Sequence, residues 1–69
     1  MSKAEIEEIL KKHNLSKMQA ALLSKISPAD FYQALNGKKP FFPKWRKQFA
    51  KTLNMSEEEL FPEYIRKEL

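Results

Sequence analysis

The stretch 15–37, LSKMQAALLSKISPADFYQALNG, decides the fold. It reads as two short helices set almost end to end. Ser16 can cap the first, Ser27 followed by Pro28 can open the second, and only Lys25 and Ile26 lie between them. Two helices joined so tightly must cross at a steep angle, and the second then projects from the domain.

The same punctuation recurs along the chain. Ser2 is followed three residues later by Glu5, Ser16 by Gln19, Ser27 by Asp30 and Ser56 by Glu59. A serine hydroxyl there accepts from a first-turn amide, and the third helical residue can accept from the serine's own amide. Asp30 is shorter than Glu or Gln and fits that reciprocal role less well. An apolar residue before each serine has a partner in the first turn: Met1 with Ile6, Leu15 with Ala20, Ile26 with Phe31, Met55 with Leu60. Asn14, Asn36-Gly37 and Asn54 are stop signals. Pro40 and Pro43 bracket a loop, and Pro43 suits the first turn of a fourth helix. Pro62 ends a fifth, and EYIRKEL after it is free to run on for a further helical turn or two. The expectation is an all-α chain, one domain over 1–69, built as a compact five-helix bundle with a tail at 62–69.

Helical spacing nominates the core: Ile6, Ile9 and Leu10; Ala21 and Leu22 with Met18; Phe31, Ala34 and Leu35; Trp45, Phe49 and Leu53; Leu60 and Phe61.

Composition narrows the function classes. The 69 residues carry no cysteine, so neither disulfides nor thiolate metal sites can staple so small a core. No apolar run approaches the ~20 residues of a membrane span, and MSKAEIEEILKK is too charged for a secretory signal. The reading is therefore a cytoplasmic protein with no membrane partner. His13 is the single histidine, and the glutamates at 7–8 and 57–59 fall beside capping positions on exposed faces. Nothing there suggests a perturbed catalytic group, so no enzyme, metal, cofactor or small-molecule ligand is expected. The net charge of +4 is unevenly spread. Residues 17–54 hold eight basic groups against Asp30 alone, whereas residues 55–69 hold five glutamates against Arg66 and Lys67. A basic middle suits a polyanion.

A tight helix pair in a basic setting is the arrangement of the helix-turn-helix, whose second helix enters a DNA major groove. Residues 15–61 resemble the lambda-repressor-like family of such domains (the Cro/repressor or XRE type), and FFPKWRKQFAKTLNMSEEELF resembles its phage and bacterial branch. The resemblance rests on an ordered set: Leu15-Ser16, Ala21, Ser27, Phe31, Asn36-Gly37-Lys38, Ala50-Lys51-Thr52-Leu53 and Ser56 to Phe61. Two positions depart from the family pattern. Lys17 stands where a phosphate-touching Gln is usual, and Lys25 stands where the turn usually has Gly. A lysine at positive φ costs roughly 1 kcal/mol.

The resemblance implies sequence-specific binding of double-stranded DNA by a small repressor-like regulator of transcription, with helix 28–36 in the groove. With Phe31, Ala34 and Leu35 inward, that helix turns Pro28, Ala29, Asp30, Tyr32, Gln33 and Asn36 outward. By resemblance, base contacts fall on Pro28, Ala29, Asp30 and Gln33. Gln33 can pair with adenine, and Pro28 and Ala29 suit a thymine methyl. Asp30 either accepts from cytosine N4 or caps its own helix. Phosphate candidates are Lys17, Tyr32, Asn36, Lys38, Lys39 and Lys44. Phe61, Tyr64, Ile65 and Leu69 form an apolar stripe that either makes a homodimer, suited to a palindromic operator, or folds back on the first helix. The rival reading is a protein-interaction module on the same fold, an antirepressor or assembly adaptor. The pair Phe41-Phe42 either packs into the core, as the resemblance implies, or on the rival reading anchors the partner.

Overall fold

A computed structural model describes residues 2–65, apart from the side chain of Ile65. The described residues form six helices and no strand: α1 (Lys3–Lys12), α2 (Lys17–Leu23), α3 (Pro28–Leu35), α4 (Pro43–Thr52), α5 (Glu57–Leu60) and α6 (Pro62–Ile65). The sixth is the further helical turn left open after the fifth. Pro62 interrupts the hydrogen-bond ladder after α5 because it has no N–H, and its fixed φ then opens α6.

Ser2, Ser16, Ser27 and Ser56 cap α1, α2, α3 and α5. The reciprocal half of the box is made by Glu5, Gln19 and Glu59, whose side chains accept from the cap amides at 3.0, 2.8 and 3.2 Å. At α3 only the forward half forms, with the Asp30 N–H donating to Ser27 Oγ at 3.2 Å. Each side-chain cap stabilises its helix by ~1 kcal/mol.

Three junctions share one construction. His13-Asn14-Leu15-Ser16, Ser24-Lys25-Ile26-Ser27 and Leu53-Asn54-Met55-Ser56 each run from a helix C-cap through a left-handed residue and an apolar residue to the next N-cap. The apolar residue donates back across the turn at 2.9 Å: Leu15 to Leu10 O, Ile26 to Ala21 O, Met55 to Ala50 O. These are Schellman closures, which satisfy the orphan carbonyls of the helix just ended. Gly37 closes α3 in the same way at φ 78, with the Lys38 N–H donating to Gln33 O at 2.8 Å.

Lys25 is the odd member. It sits at φ 58 where the sister junctions place Asn14 and Asn54, both at φ 55. Its Cβ meets the left-handed penalty that asparagine partly evades by local hydrogen bonding. Lys25→Gly is therefore expected to raise the free energy of unfolding by roughly 0.5–1 kcal/mol in urea titrations, after the extra entropy of the unfolded glycine is deducted. A loss of stability would mean that the lysine side chain makes a contact worth more than the strain.

The core follows the expected faces of α1, α3 and α4 and departs in part on α2, where Ala21 is buried as expected. Ile6, Leu10, Phe31, Ala34, Leu35, Phe49, Leu53, Leu60 and Phe61 are buried, and Ile9 and Trp45 pack half-buried against them. Ala20, Ile26, Phe41 and Ala50 join them. Met18 and Leu22, expected inside, are 52% and 61% exposed, and Leu23 is 61% exposed. The cause is steric. Ala20 and Ala21 face inward at 0% exposure and let α2 pack closely, and Met18 and Leu22, each two residues from Ala20, are turned about 200° from it.

A polar clamp holds the α2–α3 turn to α4. Ser24, buried at 1% exposure, shares a hydrogen bond with Thr52 Oγ1 at 2.9 Å. Thr52 donates onward to Gln48 O at 3.0 Å, and Gln48 Nε2 donates to Ser24 O. With Thr52 donating to Gln48, the Ser24 hydroxyl is the donor to Thr52, so all these groups are paired. His13 provides a second tie, its ring nitrogens facing Ile9 O at 3.0 Å and Leu53 O at 3.1 Å across the ends of α1 and α4.

Candidate nucleic-acid interface

On α3 the buried face of Phe31, Ala34 and Leu35 fixes what remains outside. Ala29, Gln33 and Asn36 are exposed and follow the i, i+4, i+7 spacing of a single row, with Tyr32 beside it at 37% exposure. Pro28 and Asp30 are half-buried at the start of the helix. All the candidate base-reading residues thus lie on the uncovered side or the first turn of α3.

Two cations assigned to phosphate are already engaged. Lys17 Nζ lies 2.6 Å from Glu7 of α1, and Lys39 Nζ lies 2.8 Å from Asp30 Oδ1. The Lys17 ammonium beside it holds the Glu7 carboxyl below its ordinary 4.5. Lys39, and after it the Ser27 hydroxyl, hold Asp30 below its ordinary 3.8. Both acids are therefore ionised at neutral pH. As a reciprocal cap Asp30 is corrected: its side chain turns to Lys39 rather than back to the Ser27 amide.

Lys17, Tyr32 and Asn36 come together. With Leu35 and with Lys3 of α1, which sequence reasoning missed, they line a shallow groove of about 300 Å³. Lys3 and Lys17 lie fourteen positions apart at the first turns of two helices, a proximity that the sequence signals only if α1 and α2 are known to cross there. Lys38 and Lys44 are exposed, and among the described residues Lys25, Lys38, Lys44, Lys47 and Lys51 have no carboxylate partner.

Of the apolar stripe at the C-terminal end, Phe61 and Tyr64 pack within the chain. Phe61 is 1% exposed and packs on Phe41 with ring centroids 4.8 Å apart. Tyr64 is half-buried: its hydroxyl accepts the Phe41 N–H at 3.1 Å, and the Arg46 guanidinium lies 4.5 Å from its ring centre. Arg46 also donates to Phe41 O at 2.7 Å, while its Nε lies 3.7 Å from Glu57. Arg46 therefore binds the loop, α5 and α6 together and adds nothing to a cationic surface. The Ile65 side chain and Leu69, the other dimer candidates, lie outside the described residues, as does Met1 of the first staple. Phe41 is buried, so of the aromatic pair only Phe42 is exposed, at 46%, its ring edge-on to Trp45.

In comparisons with family models, curated proteins and solved structures, nothing matches this chain. The functional reading therefore stands on the residues themselves. Among the described residues, no helix is long and apolar enough to cross a membrane, and no cluster of His, Asp and Glu is placed to hold a metal ion.

Proposed function

We propose that the chain binds double-stranded DNA as a small repressor-like regulator, with α2 and α3 acting as a helix-turn-helix of the lambda-repressor-like type and α3 lying in the major groove. One observation carries the reading: the turn that leads into α3 is tied to α4 by the Ser24–Thr52–Gln48 clamp while the Ala29–Gln33–Asn36 row of α3 stays uncovered. A rigid helix with an open polar row can present side chains to base edges. Gln33 is the bidentate reader, suited to adenine N6 and N7. Lys38 and Lys44, which have no carboxylate partner among the described residues, supply phosphate contacts, and the Lys3–Lys17–Tyr32–Asn36 groove adds to them once Lys17 leaves Glu7.

The test is selection from a random duplex pool at ~50 mM salt, where phosphate contacts are strongest, followed by the same selection with Gln33→Ala. The reading requires an enriched motif that loses preference at one position in the variant. Absence of duplex affinity in the folded protein would refute it.

A protein-interaction role has one observation in its favour, the uncharged outer face of α2, where Met18, Leu22 and Leu23 are each more than half exposed. Its mark would be loss of a protein partner on Leu22→Glu, with duplex binding absent in the parent chain.

A further inference from the structure

Asp30 is the single acid between residues 17 and 54, and it stands in the first turn of the proposed reading helix. An unpaired carboxylate there would repel the phosphates that α3 must pass between. Three observations bear on its role. Ser27 caps α3, but Asp30 does not return the bond that Glu5, Gln19 and Glu59 return at their helices. Its Oδ1 instead accepts from Lys39 Nζ at 2.8 Å. Lys39 can reach back because Gly37, at φ 78, reverses the chain at the end of α3 and the Lys38 and Lys39 amides close on Gln33 O. Lys39 and Asp30 remain 43% and 37% exposed in their side chains, so the pair lies at the surface.

We propose that Lys39 is a positioning residue rather than a phosphate contact: it neutralises Asp30 and fixes its carboxylate so that Oδ2 accepts from the N4 amine of a cytosine. The inference rests on the DNA-binding reading above. A carboxylate has about four lone-pair sites, so it can still accept after the Lys39 ammonium has taken Oδ1 and the Ser27 hydroxyl has added its bond, and an acid in the major groove reads the cytosine N4 amine. Held by Lys39, the acid presents a neutral unit to the phosphates and an acceptor to the base. Specificity arises because a thymine or guanine at that position would set its own acceptor, O4 or O6, against the carboxylate, and an adenine, although it offers the N6 amine, would set its N7 acceptor beside it.

The experiment is a double-mutant cycle of Asp30→Asn, Lys39→Met and the double variant. Each is titrated against the selected duplex and its three base variants at the position nearest the start of α3, with thermal melts confirming the fold. Wild type is expected to favour cytosine there by roughly five- to a hundredfold. Asp30→Asn and Lys39→Met should each abolish that preference. Lys39→Met should also weaken all duplexes by exposing the acid, and adding Asp30→Asn should restore that loss. The proposal is overturned if Lys39→Met weakens all four duplexes equally, and by the same factor whether or not Asp30 is present, because Lys39 is then a phosphate contact. It is also overturned if Asp30→Asn leaves the preference intact. Failure of wild type to bind any duplex is a separate result, and it removes the DNA reading together with this inference.

Discussion

Phe49→Ala is expected to unfold a large part of the population at ambient temperature. Phe49 is 0% exposed and meets Phe31 at 5.1 Å, Phe41 at 6.0 Å and Phe61 at 6.3 Å between ring centroids. It therefore joins α3, the loop, α4 and the end of α5. Truncating a buried phenylalanine costs about 3–5 kcal/mol in transfer and cavity terms. At about 0.05–0.15 kcal/mol per residue, a chain of 69 residues has roughly 3–10 kcal/mol in total. The melting temperature should fall by about 4–8 °C for each kcal/mol lost, as followed by circular dichroism. Phe42→Ala is the control: the residue is 46% exposed and its ring stands edge-on to Trp45, so the loss should stay near 1 kcal/mol or below. Equal losses at the two positions would contradict a core centred on Phe49.

The second large effect concerns binding. Lys38→Ala combined with Lys44→Ala should lower duplex affinity roughly tenfold per lysine at ~0.1 M salt, because each phosphate contact contributes about 0.9 to the slope of log K against log salt. The slope itself should fall by about two, while preference among bases stays unchanged. These lysines are suited to the test because neither is tied to a carboxylate among the described residues. Lys17 differs, since its ammonium must first leave Glu7. Lys12→Ala, on an exposed position at the end of α1, should leave both affinity and slope in place. An unchanged slope in the double variant would remove Lys38 and Lys44 from the interface.

Helix boundaries were legible in the sequence because the chemistry that sets them is local. Ser16 finds Gln19 three residues on, and Asn14 needs only its own backbone to turn left-handed. The faces of α1, α3 and α4 were legible because one side of each is plainly more apolar. On α2 most candidates are apolar, so periodicity grouped Ala21 with Met18 and Leu22, whereas the buried face pairs it with Ala20. The clamp escaped notice because Ser24 and Thr52 meet across twenty-eight positions, and a serine reads the same whether it is buried or solvated. Charge counting could not separate Arg46, turned onto Tyr64 and Phe41 O, from lysines left in water. Nor could it show Lys39 choosing Asp30 over solvent. Which residues share the outer side of α3 was readable, but which cations stay free beside it was not.

The shared junction construction also bears on how quickly the chain finds its shape. Each junction ends one helix and begins the next through bonds that span no more than five residues. Such corners can close before distant parts of the chain have met, leaving mainly the docking of preformed helices around the phenylalanines. Chains dominated by contacts between near neighbours in sequence fold in microseconds to milliseconds. The slowest corner should be the one at Lys25, where the left-handed turn is least favoured. The α2–α3 pair would then be the last of the three to take its angle.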